Sequence, residues 1–149
     1  PADYTVIIAY AHTPDALENI LTTVRDFTAG RVICLFGCGG DRDRSKRPMM
    51  GAAAGALADL VVVTSDNPRT EEPEAIIRDI LAGMEDEETA PYLVEPDRRS
   101  AIRRALEEAR PGDTVVLAGK GHETYQEIDG VRYHLDEREE IAAYFRRKV

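Results

Sequence analysis

Four uncharged runs of strand length, at residues 4–10, 32–36, 60–64 and 114–118, constrain this chain more than any other feature, and a weaker one follows the third at 92–95. Each is apolar almost throughout instead of alternating with polar residues, so a strand made from it needs cover on both faces. Helical patterns lie between them. Leu17, Ile20, Leu21, Val24 and Phe27 keep a 3.6-residue spacing behind Thr13-Pro14, which supplies an N-cap and a first-turn proline. Ile76, Ile77, Ile80, Leu81 and Met84 form a second stripe, and Ile102, Ala105, Leu106 and Ala109 a narrower third. The alanine-rich stretch 49–58 predicts a short helix packed closely on the sheet. The charged residues Arg98, Arg99, Arg103, Arg104, Glu107 and Glu108 read as the solvated face of the third helix, paired at i,i+4.

Repeated β-α alternation with short connections implies right-handed crossovers and a parallel sheet with helices on both sides. Near the end the pattern changes: residues 124–128, Asp129-Gly130 and 131–134 read as a hairpin, and Asp136 with Glu139 as a capping box opening a last helix. The fold class is therefore α/β, a Rossmann-like three-layer αβα domain with a mainly parallel sheet of about six strands and an antiparallel edge hairpin. At 149 residues the chain fits one domain, 1–149, and begins almost at once with a strand, as a domain cut at its boundary would. No apolar run approaches the roughly 20 residues of a membrane span, and no basic leader opens the sequence, so the expected location is the cytoplasm, with no membrane partner. A net charge of −9 argues against nucleic acid as a partner. Cys34 reads as a core residue. Cys38 is assigned no chemistry, since two thiols with no further Cys or His nearby make a poor zinc site.

In a parallel α/β sheet the loops leaving the carboxyl ends of the strands share one edge, where ligands bind. The unusual residues of this chain all fall in those loops: Ala11-His12-Thr13-Pro14-Asp15, the run from Gly37 to Pro48, Asp66-Asn67-Pro68-Arg69, and Gly119-Lys120-Gly121-His122-Glu123. They carry Arg42, Arg44, Lys46, Arg47, Arg69 and Lys120, a local concentration of positive charge suited to an anionic ligand. Pro68 stiffens its turn and biases Asn67 toward an extended conformation, so the Arg69 guanidinium is held where it can grip a carboxylate or phosphate, while Asp66 or Asn67 meets an ammonium. Asp, Asn and Pro are equally the commonest residues of an ordinary β-to-α turn. Gly37-Cys38-Gly39-Gly40 is not a dinucleotide fingerprint, because Arg42 occupies the final glycine position. Gly119-Lys120 is not a Walker loop either: Thr114 stands where a glycine is needed and Gly121 where Ser or Thr is needed. The chain thus lacks its own nucleoside-triphosphate cradle. His12 and His122 have no carboxylate orienter in sequence and suit ligand contact or loop hydrogen bonding better than proton transfer. His134 reads as a surface residue of the hairpin.

Taken in order, Tyr10-Ala11-His12-Thr13-Pro14-Asp15, Phe36-Gly37-Cys38-Gly39-Gly40-Asp41-Arg42-Asp43 with Lys46-Arg47-Pro48, Asp66-Asn67-Pro68-Arg69 and Gly119-Lys120-Gly121-His122-Glu123 resemble the C-terminal domain of a Mur ligase that adds meso-diaminopimelate. The resemblance covers essentially the whole chain. It implies an amino-acid-binding domain whose N-terminal UDP-sugar domain and central ATPase domain lie outside this sequence. The implied reaction is an ATP-dependent amide ligation in peptidoglycan precursor synthesis. ATP, with Mg²⁺, phosphorylates the D-glutamate side-chain carboxylate of UDP-N-acetylmuramoyl-L-alanyl-D-glutamate, and the amine of meso-diaminopimelate attacks the acyl phosphate. By the same resemblance Arg42, Asp66, Asn67, Arg69, Gly119 and Glu123 form the diaminopimelate pocket, and Tyr10, His12 and Lys46 face the nucleotide. ATP and Mg²⁺ are held mainly by the absent central domain, so this domain contributes no metal ligand and no assigned catalytic residue, and alone it is inactive. Arg69 is the group expected to check for the second carboxylate, which lysine lacks. The family usually has Asp where this chain has Ala9, so one carboxylate expected near the nucleotide is missing. Two alternatives are a lysine-adding relative, disfavoured by Arg69, and a stand-alone non-catalytic module that binds a cell-wall amino acid.

Overall fold

A computed structural model describes residues 3–147. Five strands, β1 (Thr5–Ala9), β2 (Val32–Phe36), β3 (Leu60–Val63), β4 (Tyr92–Val94) and β5 (Thr114–Ala118), form one sheet in the order β1-β5-β2-β3-β4. Every pairing in it is parallel. Between the strands run α1 (Pro14–Phe27), α2 (Lys46–Leu57), α3 (Pro73–Leu81) and α4 (Arg98–Glu108). A hairpin of β6 (Tyr125–Ile128) and β7 (Val131–His134) and a final helix, α5 (Glu137–Arg147), complete the chain.

The continuous apolar runs follow from the two cores. On β2, Cys34 and Phe36 point into a layer with Leu17, Leu21 and Val24 of α1, Met50 and Ala54 of α2, and Ile76 and Ile80 of α3. Ile33 and Leu35 point the other way, onto Ala101, Ile102 and Leu106 of α4 and Tyr144 of α5. Because successive strand residues alternate in direction, each core takes every second one and none is left for solvent. Helix starts follow local chemistry: the Thr13 hydroxyl accepts from the Ala16 N–H at 3.1 Å, and Asp97 caps α4 through the Ser100 N–H at 3.2 Å.

Three details depart from expectation. The central sheet has five strands, and the hairpin forms a separate two-stranded sheet. Its turn uses Asp129 and Gly130, both at positive φ, as a two-residue hairpin turn requires. Glu139 does not complete a capping box. Asp136 accepts from the Arg138 N–H at 3.0 Å, but the Glu139 carboxylate turns to exposed His134, 2.8 Å away. The largest departure concerns α4. Arg98 lies fully buried, bonded to Glu137 of α5, and Arg99 reaches Glu140 and the His134 carbonyl, so these two arginines clamp α5 instead of pairing along their own helix.

Candidate functional site

The carboxyl ends of β1, β2, β3 and β5 open onto one cavity of about 250 Å³. Its lining comprises Tyr10, His12, Gly39, Arg42, Lys46, Asp66, Asn67, Arg69, Gly119 and Glu123, so all nine residues selected from sequence converge there. Convergence follows from topology, since β5 lies between β1 and β2 and β3 adjoins β2, which makes their exit loops neighbours.

The loops are locked together by backbone contacts. Gly40 donates its N–H to the Asn67 carbonyl at 2.8 Å, and a Cβ on Gly40 would stand 1.8 Å from the Pro68 carbonyl oxygen. That glycine therefore serves close approach between two protein loops instead of phosphate cradling. Gly121, at φ +55, presses against Tyr10, where a Cβ would come within 2.8 Å of the Tyr10 Cβ. Lys46 donates to the His12 carbonyl at 2.9 Å and ties the first loop to the second.

Arg69 sits at φ +53, a left-handed conformation that costs a non-glycine residue roughly 1–2 kcal/mol. The docked hairpin holds it there: Arg69 donates its N–H to the Glu127 carbonyl at 3.0 Å and accepts from the Asp129 N–H at 2.8 Å. Its Nη1 donates to the Gly40 carbonyl at 2.9 Å, and Nε lies 3.6 Å from a Glu127 carboxylate oxygen. Nη2 keeps no protein acceptor among the described residues. Arg42, exposed, bonds only the neighbouring Asp41 carbonyl among the described residues, at 3.0 Å.

Two of the six cations expected to face a ligand face inward instead. Arg47, 1% exposed, bonds both oxygens of Glu71 (3.0 and 2.7 Å), Asp79 (3.0 Å) and the Gly39 carbonyl (3.0 Å). These bonds, and a further one from the Asp41 N–H, hold the Glu71 carboxyl down at about 2. Lys120 is also fully buried, with its Nζ 2.8 Å from Asn67 Oδ1, 3.0 Å from the Tyr125 carbonyl and 3.0 Å from Asp66 Oδ1. Burial lowers its pKa, and the Asp66 charge opposes that shift. Arg44 leans on Asp79 at 3.1 Å. The cavity is left with Arg42, Lys46 and Arg69 as its cations. Lys120 forms ion pairs with two carboxylates of the cavity, a closer one with Asp66 at 3.0 Å and a longer one with Glu123 at 3.8 Å.

Sequence reasoning missed Gln126, whose amide nitrogen donates to Ser65 Oγ at 2.7 Å and the Asp66 carbonyl at 2.8 Å, fastening the hairpin beneath the site. No motif marks it; its burial within a hairpin that is otherwise half-buried or exposed shows only in three dimensions. Both thiols are buried and pushed up to about 12 by desolvation, as expected for cysteines without chemistry. Among the described residues no cluster of His, Cys, Asp or Glu could hold a metal ion, and no helix is long and apolar enough to cross a membrane.

Comparison with known proteins agrees with this architecture. The chain is 62% identical over 138 residues to the UDP-N-acetylmuramoyl-L-alanyl-D-glutamate--2,6-diaminopimelate ligase of Thermosynechococcus vestitus, covering 93% of the chain and 27% of that protein. It is 57% identical over 139 residues to the Synechococcus elongatus ligase of the same name, covering 93% and 28%. A solved structure of a ligase with that name superposes with a TM-score of 0.94 at 44% identity, over 99% of this chain and 30% of the other. The chain thus spans less than a third of the length of these relatives. The family model described as "Mur ligase, glutamate ligase domain" matches residues 1–121, and with the parallel sheet and its four converging loops this shows that the chain belongs to the Mur ligase family, as its C-terminal domain.

Proposed function

We propose that residues 1–149 are the amino-acid-recognition domain of an ATP-dependent ligase that adds meso-diaminopimelate to UDP-N-acetylmuramoyl-L-alanyl-D-glutamate in peptidoglycan precursor synthesis. The supporting observation is the mixed charge of one cavity: Arg69, Arg42 and Asn67 line it together with the Glu123 carboxylate, whose ion pair with Lys120 is long, at 3.8 Å. A zwitterionic amino-acid end fits this arrangement. Its carboxylate pairs with the Arg69 guanidinium, assisted by Arg42, and its ammonium pairs with Glu123, while the Gly119 backbone leaves room for close approach.

A nucleotide fits the rim better than the cavity. Tyr10 is more than half exposed and stands edge-on to His12, with ring centroids 4.6 Å apart, offering aromatic surface to a base or ribose. Lys46 lies beside His12 with an exposed ammonium that can approach phosphates. In this reading ATP and Mg²⁺ are held mainly by a central ATPase domain outside this sequence, with Tyr10, His12 and Lys46 closing over the nucleotide. Bound ATP supplies the energy that activates the acceptor carboxylate. This chain presents the amine, orients it through the distal carboxylate, and excludes water as the domains close. A soluble cytoplasmic enzyme, without membrane or nucleic-acid partner, accords with the acidic composition.

The test is calorimetry on the complete ligase loaded with nucleotide, titrated with meso-diaminopimelate and with lysine. A charge-assisted bidentate pair contributes about 1.5–3 kcal/mol, so meso-diaminopimelate should bind at least about 10-fold more tightly, and Arg69→Ala should abolish the preference. Equal affinity for the two amino acids refutes the assignment.

A further inference from the structure

Lys120 lies outside the cavity lining, yet its ammonium touches two residues that form it. An ammonium has three N–H donors and no acceptor. Here two are directed, to Asn67 Oδ1 and the Tyr125 carbonyl, and Asp66 Oδ1 stands 3.0 Å from the ammonium as its counter-ion without accepting a hydrogen bond. The Glu127 N–H also donates to Asn67 Oδ1, at 2.9 Å. Two obligate donors on the same Asn67 atom mean that this atom is the amide oxygen, which settles the orientation of the side chain. The Asn67 Nδ2 group, with no protein acceptor among the described residues, is then the part left for the cavity that Asn67 lines.

We infer that Lys120 is a positioning residue that sets the polarity of the amino-acid pocket by acting on two neighbours at once. It locks the Asn67 amide with its N–H₂ toward the ligand carboxylate, next to Arg69, and it engages the Asp66 carboxylate as an internal counter-ion. Glu123 then remains the carboxylate available to a ligand ammonium. The pocket can distinguish the two ends of a zwitterion because Lys120 holds Asp66 closely from beneath, at 3.0 Å, and Glu123 only at 3.8 Å. This inference deepens the proposed function and rests on it for the identity of the ligand, but not for the Lys120–Asn67 contact itself.

The contact is read first without any ligand. The chain has two asparagines, Asn19 and Asn67, and Asn19 is exposed on α1, so a chain labelled with ¹³C,¹⁵N-asparagine carries its own reference signal. Lys120→Met removes the donors but strands Asp66, so Lys120→Met/Asp66→Asn is made beside it to preserve folding, and Asp66→Asn alone is the comparator. With Lys120 replaced in the double variant, the Asn67 ¹³Cγ resonance should move upfield of its position in Asp66→Asn while the Asn19 signals stay in place. An unmoved Asn67 resonance overturns the inference. In the complete ligase loaded with nucleotide, the double variant should bind meso-diaminopimelate at least tenfold more weakly than Asp66→Asn, with nucleotide affinity retained. Equal affinity of these two variants overturns the inference as well. Failure of the unsubstituted ligase to bind meso-diaminopimelate would sink the proposed function instead, and the asparagine resonance would still decide the role of Lys120.

Discussion

Replacing Arg98 by Met should cost this chain a large share of its stability. The Arg98 guanidinium is fully buried and makes three bonds: Nε to Glu137 at 2.9 Å, Nη1 to the Ser65 carbonyl at 2.9 Å and Nη2 to the Ala118 carbonyl at 3.1 Å. The Glu137 side chain has no exposed surface, so losing Arg98 strands an ionised carboxylate in the interior. Breaking a buried pair from one side typically costs about 3–5 kcal/mol, and each carbonyl left without its donor adds about 1 kcal/mol. The expected loss is about 5–7 kcal/mol, against a total that for a domain of this size is about 5–15 kcal/mol. Removing both charges is a different perturbation. Arg98→Met/Glu137→Leu leaves no uncompensated ion and should recover about 3 kcal/mol of that loss, because well-packed apolar pairs replace buried ion pairs with little penalty. Urea unfolding of the chain followed by circular dichroism measures both variants, with linear extrapolation giving the differences. A loss below about 1 kcal/mol for Arg98→Met, or a double variant no more stable than the single one, refutes the reasoning.

Two other perturbations probe the loops. The Glu71 carboxyl is held at about 2, below its ordinary 4.5, first by the side-chain bonds of Arg47 and then by the Asp41 N–H. A depressed folded-state pKa contributes stability that is full above about pH 4.5 and lost as the pH falls toward 2. Glu71→Gln should therefore lower stability at neutral pH and flatten the acid limb over that window. Because about a quarter of the Glu71 side chain is exposed, solvent screening limits the effect to on the order of 2 kcal/mol. Unfolding curves recorded from pH 7 to 2 check this, and parallel curves for the two proteins would refute it. Gly40→Ala should cost about 2 kcal/mol, the usual range for forced overpacking, because its Cβ would stand 1.8 Å from the Pro68 carbonyl oxygen and push apart the loops carrying Arg42 and Arg69. Thermal unfolding reads the stability and calorimetry the binding of meso-diaminopimelate; an unchanged value of either counts against the close-approach role.

The sheet could be read from sequence because its signal is local and redundant. A run such as Val32–Phe36 has no polar residue to place toward solvent, and Thr13-Pro14 marks a helix start by its own chemistry. The grouping of the nine candidate residues around one cavity was equally legible, since parallel topology dictates that β1, β2, β3 and β5 release their loops on one edge. The partners of the charged residues could not be read. Arg98 sits in a run of arginines that looks like a solvated face, and its counter-ion lies 39 residues away; Lys120 meets Asn67 across 53. A lysine flanked by glycines looks the same in sequence whether it projects into a phosphate site or folds beneath the strand ends. The hairpin itself was legible, but its docking was not, for a related reason. Its strands alternate weakly, and what fixes its position is the Arg69–Glu127 backbone bond and Gln126, contacts of loop with hairpin that no periodicity encodes.

The misread cations share one structural role. Arg98 donates to the carbonyls of Ser65 and Ala118 and Arg47 to that of Gly39, so both satisfy backbone oxygens at or just beyond the exit of a parallel strand, while Lys120 satisfies that of Tyr125 at the start of β6. Parallel strands that end on one edge leave unpaired carbonyls there, and a buried carbonyl without a donor is costly. A buried cation with several directed donors meets that need and also neutralises the carboxylates packed beneath the loops: Glu137, Glu71 with Asp79, and Asp66. Buried pairs of this kind add little net stability over apolar packing. What they fix is position, since each ties a loop to an element distant in sequence. With Asp66 held close by Lys120 and Glu123 only at 3.8 Å, the cavity keeps Arg42, Arg69 and Lys46 as cations and Glu123 as its more loosely paired carboxylate, the charge pattern on which the proposed zwitterion reading rests.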